Sequence, residues 1–442
     1  MFKWIDKIYI PFVKTAEVKF LILFGFFFRA LFFALYFTIT KWPDSWSFME
    51  LVPYLMKFNL SGYTGERSPG YPLLIALGGG TMRLTIVYQF VIGVVTSVIQ
   101  YKLLLKLGFQ NKNALWIAVY LETLLYVFFY ETAILIESLT VFLLSAVFYI
   151  LADNYFNKRD LKSELLFSLL LGYLVLTKPF FAYIPFVIYG FSVLYRFHWK
   201  KIINQKIIIL IFPLLAYFGW SYVNKVNTGY FVSTTYFGLN ISQNCVYFAE
   251  KGPEKYRWII DPYVKYREET IREKKDVAMA IWHAHYHDLQ HKYPYFPECS
   301  YYLGEYAKET IKNNQYDYWK QVVTRSWLDF WRVKIYWDFE KVKLKPLVRT
   351  IWRLQKITLY FFKWSFLALV PFFVFRFFKK RKITFEIVAV TIIFAGSLLQ
   401  GIVTYGTNVK YAYPYEFLMI IVVLLFFKKE VKLPRRISTF LQ

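Results

Sequence analysis

Apolar runs of about 20 residues recur along this chain, and that feature limits its fold more than any other. At 1.5 Å of rise per residue, such a run crosses the hydrocarbon core of a bilayer as a helix. Inside lipid, backbone polar groups must be satisfied within the segment, so helices are the expected spanning element. The runs lie at about Phe20–Thr40, Met82–Lys106, Ala114–Tyr130, Ala133–Leu151, Leu165–Thr177, Phe180–Arg196, Ile207–Asn224, Ile357–Phe378, Ile383–Val403 and Tyr413–Phe427. They predict an all-α polytopic membrane protein of about ten or more transmembrane helices. A polar segment from Lys225 to about Lys356 interrupts them and predicts an α-rich mixed domain outside the membrane. The expected division is 1–224, a transmembrane module with its first loop at 41–81; 225–356, the outer domain; and 357–442, the closing helices.

The charge pattern orients these helices. The formal net charge is +25, but the cations do not form one soluble patch, which argues against a nucleic-acid partner. They cluster at the ends of apolar runs, as orientation signals and contacts to anionic membrane lipids do. Lys3, Lys7, Lys14 and Lys19 precede the first run. That run is too long for a signal-peptide core and lacks a small-residue cleavage site, so it is expected to be retained. With the basic N-terminus in the cytoplasm, the basic ends NKRDLK, HWKK and KKRK all fall on the cytoplasmic side. The 225–356 segment then lies outside.

In this topology the chemically unusual residues converge on the outer face. The stretch Lys41–Pro72, KWPDSWSFMELVPYLMKFNLSGYTGERSPGYP, begins with an acid, Asp44, and ends with a base, Arg67. Asp44 is expected to be a general base; its bland alternative is a helix N-cap after Pro43. Arg67, Lys178 and Lys410 are three cations at outer helix ends, suited to a phosphate, where single cations would only snorkel to headgroups. Glu131 and Glu137 open the fourth run and are candidate catalytic acids, with a buried structural pair as the alternative. Arg29 and Glu122 fall near mid-membrane and are expected to form a structural ion pair.

The remaining candidates are weaker. His283, His287 and His291 share a helical face, a spacing that can bind zinc, but neither Cys nor acid completes a ligand set. No metal site is assigned, although a divalent metal stays open. The only cysteines, Cys245 and Cys299, share the outer segment, where a disulfide is one expectation. Its aromatic residues suit either stacking on sugar rings or the membrane interface.

Four stretches, in order and on one side, resemble the GT-C superfamily of membrane glycosyltransferases, in the protein O-mannosyltransferase and aminoarabinose transferase branch. They are Asp44 with RSPGYPLLIAL, then ILIESLTVFLL, LVLTKPF and VKYAYPYEF. WSYVNKVNTGYFVSTTYFGLNIS is a weaker fifth. The resemblance implies a polyprenyl-phosphate sugar as donor and a glycan, lipid or protein as acceptor. It also implies inversion at the anomeric carbon, with Asp44 as base and Arg67, Lys178, Lys410 and Tyr411 on the donor phosphate. Two departures stand out: the family's Arg-Pro is Lys178-Pro179 here, and its Arg-Tyr is Lys410-Tyr411. Charge is kept but the bidentate fork is lost. The second acid that some relatives place beside the first is missing.

Two other classes compete with this reading. An O-antigen polymerase or ligase would rely on basic and His residues of the outer loop rather than on an early acid. A lipid-linked glycan transporter or flippase would show pseudo-repeated halves, and the sequence carries no internal repeat.

Overall fold

The structure, a computed structural model, describes residues 15–153, 155–157, 160–195, 203–335, 337–406 and 408–430. The N-terminal Lys3, Lys7 and Lys14, the Lys158–Arg159 pair, HWKK and the tail after Glu430 lie outside the described residues. The described residues are helical throughout, with one isolated parallel bridge between Thr40 and Ala133 in place of any sheet.

Among the described residues, six helices are long and apolar enough to cross a membrane: Ala16–Leu35, Met82–Lys106, Gln205–Thr228, Lys345–Lys380, Phe385–Val403 and Val409–Glu430. A bent pair, Asn111–Glu122 and Leu125–Glu131, raises the number to seven if it is one span. Glu137–Leu151 and Pro179–Leu194 are apolar but shorter. The ten or more spans expected are not confirmed among the described residues, where several apolar runs are broken or shortened. Caps fix the ends. Thr15, Thr81 and Thr384 accept from the backbone N–H three residues on, and Gly229 closes Ile211–Thr228 at φ 85°, a left-handed conformation natural to glycine.

The break at Thr123–Leu124 shows how a span tolerates a kink. The chain bends by 58° there. The freed backbone groups find a side chain from a distant helix: Gln355 Nε2 donates to the Thr123 carbonyl at 2.9 Å, and Gln355 Oε1 accepts from the Leu125 N–H at 2.9 Å. Such satisfaction is what permits irregular backbone at membrane depth.

The bend also turns two acids toward one base. Arg29 Nη1 donates to Glu122 Oε1 at 2.7 Å, while its Nε and Nη2 donate to the two oxygens of Glu131, each at 2.7 Å. All three side chains are buried. Gly25 and Gly93 make room for them; a Cβ on Gly93 would overlap Glu131 Oε1 and Arg29 Nη2. The expected Arg29–Glu122 pair is present, with Glu131 as a third member.

The helix Lys345–Lys380 runs through the boundary expected at 356/357. Its buried Lys363 pairs with Glu416 of the last helix at 2.6 Å and donates to the Arg332 carbonyl at 2.8 Å. The domain before it has its own core, including Leu239, Cys245, Ile259, Tyr263, Leu303 and Tyr306. Gly238 allows the helix Phe237–Ser242 to lie against Phe296–Asn313, since a Cβ there would overlap the Ser300 carbonyl. Cys245 and Cys299 are both free and buried, so the expected disulfide is not formed. Cys299 Sγ instead lies 3.6 Å from His285 Nδ1.

Candidate active site

The 41–81 stretch folds into two short helices, Pro43–Met56 and Gly70–Leu77, joined by a turn segment. Pro43 starts the first, suiting its fixed φ and missing N–H to a helix N-terminus. Asp44 follows in the first turn, with its carboxylate turned away from the helix. Its Oδ1 accepts from Arg67 Nη2 at 2.6 Å and its Oδ2 from Lys410 Nζ at 2.7 Å. The N-cap alternative does not hold, because the Trp42 N–H donates to Ser45 Oγ at 2.9 Å and Asp44 makes no side-chain cap.

Arg67 is held on every side. Its backbone N–H donates to Tyr63 Oη at 2.6 Å, and that hydroxyl donates to the Arg67 carbonyl at 3.0 Å. Its Nε donates to Ser47 Oγ at 2.7 Å. Its guanidinium carbon lies 4.5 Å from the Phe48 ring centre and 4.7 Å from that of Tyr236, so the planar group is stacked between two aromatic faces.

The SPGYP turn brings in Lys178. Gly70 lies so close to the end of helix Leu161–Thr177 that a Cβ would overlap the Thr177 backbone, and Tyr173 Oη donates to the Gly70 carbonyl at 2.9 Å. Lys178 caps that helix in extended backbone and sets its ammonium 3.4 Å from the Tyr411 ring centre. Lys410 Nζ also lies 3.7 Å from Glu137 Oε1. Glu137, 1% exposed, has no hydrogen bond to either oxygen among the described residues. Asp44, by contrast, is 42% exposed and can meet a ligand.

These charges set the acid–base state. Burial pushes the Asp44 carboxyl up, but the Lys410 and Arg67 cations and their hydrogen bonds outweigh it and hold it well below the usual carboxylate range. Burial lowers the Lys178 ammonium to about 7, Lys410 and Arg67 acting in the same direction against Glu137 and Asp44.

Asp44, Arg67, Glu137, Lys178, Lys410 and Tyr411 thus meet in one place. Glu131 does not join them: both its oxygens are taken by Arg29, which makes it a member of the buried ion-pair group rather than of this cleft. No group of three or more His, Cys, Asp or Glu placed to hold a metal occurs among the described residues. His283 and His287 stack 6.3 Å apart beside Tyr266.

Sequence reasoning missed the partners that position Arg67. Ser47 and Phe48 follow Asp44 by three and four residues, a helical spacing that signals a shared face. Tyr236 comes from the distant domain and carries no such signal. The segment after Gly229 clamps the loop: the Thr235 N–H donates to the Gly65 carbonyl at 3.0 Å, Thr234 Oγ1 to the Glu66 carbonyl at 2.6 Å, and Tyr236 Oη to Glu66 Oε2 at 2.7 Å.

An acid clasped by two cations, with a third cation alongside at the end of a bundle of apolar helices, is an arrangement for handling an anionic ligand at a membrane. Residues 48–231 match the family model of dolichyl-phosphate-mannose-protein mannosyltransferase. The matched segment contains Arg67, Glu137 and Lys178; Asp44 precedes it, and Lys410 and Tyr411 follow it. It fits the GT-C resemblance and supports a membrane glycosyltransferase with a polyprenyl-phosphate sugar donor. Neither a curated protein nor a solved structure matches the chain.

Proposed function

We propose that this protein is an inverting glycosyltransferase whose active site is the Asp44 cleft on the extracytoplasmic face. The single observation that carries the reading is the clasp of Asp44 between Arg67 and Lys410. Arg67, Lys410 and Lys178 hold the donor phosphate, and Tyr411 donates a hydrogen bond to it. Asp44 takes the proton of the acceptor hydroxyl. The acceptor oxygen attacks the anomeric carbon from the side opposite the phosphate. The bond from that carbon to the phosphate oxygen breaks, and polyprenyl phosphate leaves with the electron pair.

A carboxylate paired with two cations is a weak base. The donor phosphate competes for those same cations. As Arg67 and Lys410 turn to it, the proton affinity of Asp44 rises, so the donor prepares the base that the acceptor needs. Glu137, 3.7 Å behind Lys410, helps to keep its ammonium aimed. Fixed cations directed at developing negative charge in a partly dry cleft supply much of the rate.

An apolar groove supports the lipid part of the donor. It has a volume of about 340 Å³, begins at Pro179 directly after Lys178, and is lined by Tyr183, Phe186, Pro213, Leu214 and Phe218. A polyprenyl chain lying there would leave its phosphate at the cations. The experiment is a transfer assay: purified protein offered a panel of polyprenyl-phosphate sugars and scored for released polyprenyl phosphate. Release from one donor supports the reading. Translocation of lipid with no glycosidic bond formed contradicts it.

A further inference from the structure

Above the Asp44 cleft a file of aromatic rings leads outward. Tyr236 covers one face of Arg67, its ring centre 4.7 Å from the guanidinium carbon. Trp282 follows at 5.6 Å from Tyr236, and Tyr286 at 5.9 Å from Trp282. The last two rings are nearly parallel, with 26° between their planes. They stand four residues apart on one helical segment and stack on each other, with Tyr286 the exposed ring of the pair. Tyr286 is 52% exposed, although the charges of Glu66, Asp44 and Arg67 all act on its hydroxyl. It lies in a π-helical stretch, His285–Leu289, a local irregularity that recurs at functional sites.

A carboxylate stands at the root of this stack. Glu66 Oε2 accepts from Tyr236 Oη at 2.7 Å. With Asp44 it places two carboxylates on this side of the cleft.

Flat rings beside carboxylates match a sugar ring. The C–H faces of a pyranose pack on aromatic surface, and its equatorial hydroxyls donate to carboxylate oxygens. A peptide adding as a strand would need an unpaired strand edge, and the described residues here are helical. An anionic acceptor would meet Glu66 and Asp44 as like charges.

Resting on the glycosyltransferase reading above, we propose that Trp282 and Tyr286, with Glu66, form an acceptor subsite for an uncharged saccharide. The hydroxyl that Asp44 deprotonates is then a sugar hydroxyl.

The test is donor-free binding to the full-length detergent-solubilised protein, measured by saturation-transfer NMR. The probes are manno-, gluco- and galacto-oligosaccharides, polygalacturonate, and a serine- and threonine-rich peptide. At least one neutral oligosaccharide binds, and Tyr286→Ala weakens it about tenfold, the loss expected on removing one of two stacked rings. Tyr286→Phe keeps the ring and the affinity. Tyr286 is half exposed, so its truncation spares the fold.

Peptide binding without saccharide binding, preference for polygalacturonate, or equal saccharide affinity in Tyr286→Ala each overturns the proposal. The two readings fail separately. Saccharide binding that needs Tyr286, without any sugar transfer, removes the enzyme and keeps the subsite. Transfer to the peptide, unchanged in Tyr286→Ala, keeps the enzyme and removes the subsite.

Discussion

Lys410 donates to Asp44 at 2.7 Å across 366 positions of sequence, and the same ammonium stands 3.7 Å from Glu137. The first loop, the helix Glu137–Leu151 and the start of the last helix therefore share one cation. On the proposed function, a donor phosphate entering the cleft divides Lys410 with Asp44.

Removing either lysine should harm donor use more than acceptor use. Lys410→Ala and Lys178→Ala should each raise the donor KM by about 10- to 100-fold, the value of one charge-assisted hydrogen bond. Steady-state kinetics with each substrate varied in turn checks this. Equal effects on both substrates argue against a phosphate role.

The Lys178 ammonium gives the enzyme a pH dependence of known sign. Its value of about 7 lies below the ordinary lysine value, so the free protein holds the charge below neutral pH and loses it above. Donor kcat/KM, which reports the free enzyme, should fall as pH rises through about 7. Lys178→Arg keeps the cation at all these pH values and should remove the fall. A fall that persists in Lys178→Arg assigns it to another group.

The sequence made some of this legible and hid the rest for identifiable reasons. Met82–Lys106 was expected with the bounds it has, because one uninterrupted apolar run with basic residues at its end leaves little choice. Ala114–Tyr130 was expected as one helix, and it is broken at Thr123 because Gln355, far along the chain, satisfies the opened backbone. Asp44, Arg67, Lys178 and Lys410 could be picked out because charges at apolar helix ends need a reason. Glu131 and Glu137 both qualify from their positions, with Glu137 favoured for its nearness to the site. Only the fold shows that Arg29 lies beside one and Lys410 beside the other. The expected disulfide failed because a shared compartment says nothing about distance; Cys245 and Cys299 face different neighbours in one core.

The buried Arg29 group is a structural device and should register in stability. Arg29→Met leaves Glu122 and Glu131 buried and uncompensated, a loss of about 3–5 kcal/mol for breaking such a pair. Gly93→Ala should also destabilise, since its methyl would overlap Glu131 and Arg29. Thermal unfolding in detergent measures both. Unchanged melting in Arg29→Met contradicts the structural role.

Gln355→Ala should cost about 1–3 kcal/mol, the penalty for unsatisfied buried polar groups, because the Thr123 carbonyl and the Leu125 N–H both lose their partner. Gln355→Glu keeps the acceptor for Leu125 and loses the donor to Thr123, so it should fall between wild type and alanine. The same melting experiment ranks the three proteins.

The measurement that tests the central claim most directly is release of polyprenyl phosphate by wild type and by Asp44→Asn, from the donor that wild type uses. The account predicts a fall of at least about 10²- to 10⁴-fold, the usual contribution of a general base, with the variant still folded and still binding donor. Turnover by Asp44→Asn at the wild-type rate would contradict it.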